Sequence, residues 1–172
     1  MQGSTGDPGP AGATGPAGAN ESSRYTVLTG QPTFLQGFNQ VILTNENSSA
    51  QPAALVSNGQ IVLPEAGTYR IAYVAAPEAA GAATVSVSRD AAAAYAVWHN
   101  GSEIAASVVQ RPMLDVNVAL VLTLRTMIQG GSYSSTNYIT AAAGDTIHFI
   151  YTSDFAVAER KTNVILIVEK LD

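Results

Sequence analysis

The chain has 172 residues, of which only 12% are charged, and carries a net charge of −5 at neutral pH. So sparse a charge leaves a surface of Ser, Thr, Asn, Gln and Ala, and Arg160-Lys161 is its one adjacent basic pair, which argues against nucleic acid as a partner. It has no cysteine, which excludes disulfides, thiolate zinc sites and cysteine nucleophiles.

The first element is periodic. Gly3, Gly6, Gly9, Gly12, Gly15 and Gly18 recur at every third position, with Pro8, Pro10 and Pro16 between them. In a collagen triple helix every third residue faces a crowded axis that admits only hydrogen, so this phase is a steric requirement that a flexible linker has no reason to keep. Residues 1–20 are therefore read as a collagen-like stalk fragment and 21–172 as one head domain, long enough to bury a core. Six triplets make a rod of about 55 Å, too short to hold three chains unaided, so the head is expected to supply the trimer. Met1 runs straight into the triplets with no basic segment or apolar core, as expected of a piece of a longer chain. The apolar run "VNVALVLTLRTMI" is short and contains Arg125, so no membrane insertion is expected.

Strands follow in chain order at 40–44, 59–63, 68–75, 83–89, 94–99, 116–128, 145–152 and 162–170, all rich in β-branched and aromatic residues and separated by turn residues. Asn100-Gly101 predicts a two-residue hairpin turn, since both residues tolerate positive φ. The alanine run at 91–94 is too short and too closely flanked by strand patterns to predict a helix. Many short strands with frequent turns indicate an all-β sandwich or jelly roll. Within 68–75, Tyr69, Ile71 and Tyr73 share one face and Arg70, Ala72 and Val74 the other. Within 145–152, Ile147, Phe149 and Tyr151 alternate with His148 and Ile150. Both strands are apolar on nearly both sides, whereas a sandwich needs only one buried face. Tyr69, Ile71, Tyr73, Ile147, His148, Phe149 and Tyr151 are accordingly the candidate trimer-interface residues.

No residue pattern points to an enzyme. The two histidines, His99 and His148, belong to no zincin, nucleophile-elbow or phosphate-loop motif. His99 is expected as a solvated neighbour of the hairpin turn. His148 is expected as an interface histidine, the alternative being a metal or pH-sensitive site made by three copies on an axis. Asp145 is expected to hold its turn by accepting backbone N–H groups. Asp115, Asp145 and Asp154 are acidic loop-end residues without calcium-loop spacing, so no metal and no cofactor is assigned. Trp98 is expected as a core anchor, with a sugar-stacking platform as the alternative. Asn20, Asn47 and Asn100 begin N-glycosylation triplets of a kind that chance readily produces in a Ser- and Asn-rich chain.

"NGQIVLPEAGTYRIAYVA", "VWHNGSEIAAS", "AAAGDTIHFIY" and the closing "TNVILIVEKLD" together resemble the heads of the complement C1q and tumour-necrosis-factor family. With collagen triplets directly ahead, the whole is similar to bacterial collagen-like surface proteins, such as the collagen-like glycoproteins of the spore exosporium. Residues 76–96 exceed the family's usual spacing. The resemblance implies a homotrimer of ten-strand jelly rolls on a short collagen triple helix, located on a spore exosporium or cell surface. It also makes Thr5 and Thr14, at outward third positions of their triplets, candidates for glycosylation. The function expected is structural, the head driving trimerisation and registering the stalk. The alternative is a phage tail-fibre or adhesin tip that binds a cell-surface glycan or protein receptor through loops 44–58, 76–93 and 129–143, on a virion in the phage case.

Overall fold

A computed structural model describes residues 24–49, 51–78, 85–118, 122–128, 130–155 and 161–172. The glycine triplets, Thr5, Thr14 and Asn20 lie outside the described residues. The strands are β1 (Arg24–Gly30), β2 (Gly37–Val41), β3 (Thr44–Ser48), β4 (Leu55–Ser57), β5 (Gln60–Val62), β6 (Gly67–Pro77), β7 (Val85–Ser86), β8 (Ala93–His99), β9 (Ser102–Glu103), β10 (Val109–Gln110), β11 (Met113–Val118), β12 (Leu122–Met127), β13 (Tyr133–Ala141), β14 (Thr146–Ser153) and β15 (Thr162–Lys170). A short 3-10 turn at Ala105–Ser107 interrupts them. No helix among the described residues is long and apolar enough to cross a membrane.

Two antiparallel sheets form a jelly-roll sandwich. Sheet 1 runs β13-β6-β15-β1-β3, and sheet 2 runs β10-β8-β14-β5-β4, with β2 added to β14 and β9 to β8. Successive long strands alternate between the sheets, which is the wrapping that the pattern of short strands predicts. The strand count exceeds ten because two- and three-residue strands such as β4, β7, β9 and β10 add to the long ones and one expected strand is broken. The run 116–128 is two antiparallel strands, β11 and β12, which pair from Met113↔Met127 to Val118↔Leu122. Pro112 has no N–H to give, and the ladder between β10 and β8 stops just before it. Beyond that break β11 and β12 join β7 in a small third sheet.

Period-two alternation explains the core. Along β6, Tyr69, Ile71, Tyr73 and Ala75 are buried, and along β15 Val164, Leu166 and Val168 are. They meet Tyr95 and Val97 of β8 and Ile147, Phe149 and Tyr151 of β14. Rings interlock across the gap: Tyr73 meets Phe149 edge-on at 4.9 Å, and Phe34 stacks on Tyr151 at 4.3 Å. Some buried polar groups are partnered across the sandwich, while Tyr95 OH, Trp98 Nε1 and Arg111 Nε are buried with no hydrogen-bond partner among the described residues. Thr26 Oγ1 donates to Ala54 O and accepts from Ala54 N–H, fixing the segment before β4 against β1.

This burial corrects the interface expectation. Tyr69, Ile71, Tyr73, Ile147, Phe149 and Tyr151 are at most 2% exposed in a single chain. They line the inner faces of the sandwich and cannot meet another subunit. His148 sits on the opposite side of β14 from its neighbours, half-buried, so the expected set mixed two faces.

The strand directions define two ends. Arg24 pairs with Lys170, and its guanidinium reaches Glu65 at 2.6 Å. The Thr68 N–H donates to Asp172 Oδ1, so the chain enters the sandwich where it leaves it. The turns at 64–67, 100–101 and 144–145 lie at this base, tied together by Gly144 N–H to Leu63 O and Asn100 N–H to Thr146 O. Gly30, Pro77, Arg111 and Ser153 lie at the other end, where the third sheet stands.

Candidate functional site

The surface with the most to offer is the outer face of sheet 1. Ladder register places Ser134, Val74, Ile165 and Thr29 in one row across four strands, and Thr136, Ala72, Ile167 and Val27 in the next. A third row, nearest the base, is Tyr138, Arg70, Glu169 and Tyr25. Arg70 and Glu169 pair at 2.6 Å. Val74 is 39% exposed, Ile165 43% and Tyr138 65%. This is an apolar band on the solvent side of a sheet whose inner side already fills the core. Toward the far end it runs into a shallow cleft of about 500 Å³, bordered by Thr29, Thr44, Glu46, Gln31, Asn163 and Ile165. There Thr29 donates to Glu46 at 2.7 Å and Gln31 donates to Asn163 at 2.8 Å.

Two of these rows were half legible. Ala72 and Val74 stand on the second apolar side of β6 noted in the sequence. Tyr138 was missed because β13, "YSSTNYITA", is Ser- and Thr-rich and reads as loop. Its signal was the alternation of Tyr133, Asn137 and Ile139 after the Gly130-Gly131 turn, where both glycines have positive φ. The expected recognition loops are corrected likewise. Segment 129–143 is mostly β13, and 44–58 contains β3 and β4.

The outer face of sheet 2 carries a different set. His148 lies opposite Trp98 in the β14–β8 ladder, and Phe38 of β2 meets the Trp98 ring edge-on at 5.1 Å. Phe38 is 56% exposed while Trp98 is half-buried. Trp98 is thus neither a core anchor nor an open platform. Burial pushes the His148 imidazole below its usual range and favours the neutral ring.

At the base, His99 is not simply solvated: its Nε2 lies 2.8 Å from Asp145 Oδ2, with both side chains about one-fifth exposed. Asp145 also accepts the Ala142 N–H at 2.9 Å, the turn-holding role expected of it. The Asn100 side chain, the Ala142 N–H and the His99 ring, in that order, hold its carboxyl down at about 2. Asn100 (φ 50) and Gly101 (φ 77) form the expected hairpin turn between β8 and β9. Asn100 Oδ1 accepts the Thr146 N–H, which fixes the Asn100 side chain against the start of β14. Asp115 pairs with Arg125, and Asp154 accepts the Ala92 N–H, so the three aspartates are not brought together. Among the described residues no three His, Asp or Glu side chains converge on a metal site.

A pH dependence follows. Because the Asp145 carboxyl falls from 3.8 to about 2 on folding, its contribution is complete above pH 4 and is lost as pH drops from about 4 toward 2. Asp145→Asn is expected to lower the neutral-pH melting temperature and to flatten its acid dependence across that window. Melting followed by Trp98 fluorescence from pH 7 to 2 tests this, and parallel curves for both proteins would refute it.

No protein-family model and no curated protein matches the sequence. Among solved structures, murine APRIL at pH 5.0 is similar with a TM-score of 0.48 at 10% identity, over 87% of this chain and all of that one. The globular domain of zebrafish complement 1qA is similar with a TM-score of 0.44 at 12% identity, over 88% of this chain and 98% of that one. The jelly-roll assignment rests on this chain's own strand order.

Proposed function

We propose that this chain is the trimerising head of a collagen-like stalk protein, a structural and assembly unit of an extracellular surface such as a bacterial spore exosporium or cell surface. The observation that carries this reading is the unbroken glycine phase from Gly3 to Gly18, ending six residues before β1. Three chains are a geometric requirement of such a rod. The base of the sandwich receives the chain, and the apolar rows of sheet 1 offer each head a surface for its neighbours. Joining the heads makes triple-helix closure a local event and removes most of the entropy of gathering separate chains. The second reading, a receptor- or glycan-binding tip of a phage fibre or adhesin, draws on the exposed Phe38, which packs on the half-buried Trp98 on the opposite face of the sandwich.

The division of labour can be tested in the intact chain. Gly12→Val puts an isopropyl group on the crowded axis and is expected to abolish the collagen circular-dichroism transition. Light scattering should still give three times the mass of one chain. A fall to the single-chain mass would mean that the stalk, not the head, organises the assembly.

A further inference from the structure

The third sheet, β11-β12-β7, has one largely polar and one apolar face. One face carries Met113, Asp115 and Asn117, matched across the ladder by Met127, Arg125 and Thr123. At its Met113–Met127 end that face turns toward the sandwich, while Asp115 and Asn117 farther along are exposed. Met127 is buried beside the Tyr151 hydroxyl, Met113 packs on the core, and Arg89 donates to Thr123 at 2.9 Å. Asp115 and Arg125 are paired by two hydrogen bonds of 2.7 and 2.9 Å. The other face turns away and is apolar: Leu114, Val116, Val118, Leu122 and Val85 are between 41% and 52% exposed. A sheet this small gains independent stability from a covered apolar face, and one left bare is an aggregation site.

Three observations identify what covers it. On the collagen reading proposed above, the glycine phase brings three copies of the chain side by side. The hairpin rises where β10 and β13, an edge of each sheet, lie against one another, and β13 carries Tyr138 of the sheet 1 outer face. Among the described residues of β11 and β12 no charged side chain lies on the apolar side, so three copies meet there without like-charge repulsion from these strands. We infer that the three hairpins of a trimer pack their apolar faces on one another, making a second contact between heads at the end remote from Arg24. This rests on the trimeric reading above and adds a contact separate from the sheet 1 rows.

The absence of natural cysteine makes the test clean. Val116→Cys is introduced into the full chain, with Ser102→Cys at the exposed base turn as reference. Light scattering reads the trimer, and labelling with a water-soluble maleimide reads the hairpin. The expected result is a three-chain mass, labelling at position 116 about tenfold slower than at position 102, and a two-chain product on oxidation. A three-chain mass with equal labelling rates overturns the hairpin contact and leaves the trimer standing. A single-chain mass overturns both. Protection that appears only on adding phosphatidylcholine vesicles overturns the contact in favour of a lipid surface. Leu122→Cys, on the paired strand, repeats the readout should Val116→Cys fail to melt cooperatively.

Discussion

Tyr73→Ala is expected to destabilise the fold of the head rather than to separate one head from another. Tyr73 is 2% exposed, meets Phe149 edge-on, and donates its hydroxyl to Ser107 O at 2.8 Å, with Tyr95 O at 3.3 Å. Burial raises that hydroxyl's pKa well above the ordinary phenol range, so it remains a donor throughout the useful pH range. Truncation opens a cavity between the sheets and leaves a buried carbonyl without its donor. Large-to-small changes of this kind cost about 3–5 kcal/mol. Against a total stability of about 5–15 kcal/mol, that is about a fifth or more of the fold. Urea unfolding followed by the single tryptophan, Trp98, is the measurement, and the midpoint should fall sharply with the slope retained. A variant that kept the parent's midpoint while losing trimer mass would return Tyr73 to the subunit interface, where the sequence alone had put it.

That reversal exposes what a single sequence can and cannot carry. The period-two alternation of "TYRIAYVA" and "DTIHFIY" correctly yields strands, and Asn100-Gly101 correctly yields a hairpin, because strand pleat and positive φ are local properties. Which face of β6 turns inward is not local. Tyr69, Ile71 and Tyr73 on one side and Ala72 and Val74 on the other are both apolar, and the choice is made by β8 and β14 closing over the larger side chains. The strands β1 and β13 went unread for a related reason. "RYTVLTG" and "YSSTNYITA" gain their register from β15 and β6, not from their own hydrophobicity. The continuous run 116–128 conceals a chain reversal because both halves of its hairpin have one apolar face. His99 and Asp145 are 46 residues apart in sequence and meet only because the turns at 100–101 and 144–145 share the base of the sandwich.

The complementary result is expected from Ile165→Asp. Ile165 stands at the centre of the apolar rows of sheet 1, between Val74 of β6 and Thr29 of β1, and its side chain points away from the core. Being 43% exposed in one chain, it tolerates a carboxylate there at little cost to the fold, so the melt of a separated head should stay cooperative. In a trimer closed over that face the same carboxylate is taken out of water with no cation built to receive it. An unpaired buried charge costs several kcal/mol, and threefold symmetry places one on every subunit. A rod of six triplets has too few axial glycines to compensate. The expected outcome is a single-chain mass by light scattering, with the strand circular dichroism kept and the collagen transition lost. Tyr73→Ala and Ile165→Asp therefore separate the two faces of sheet 1 by experiment: one variant loses stability of its fold, the other only its partners. A three-chain mass for Ile165→Asp would move the contact off this face, leaving the collagen rod or the β11–β12 hairpin to hold the heads together.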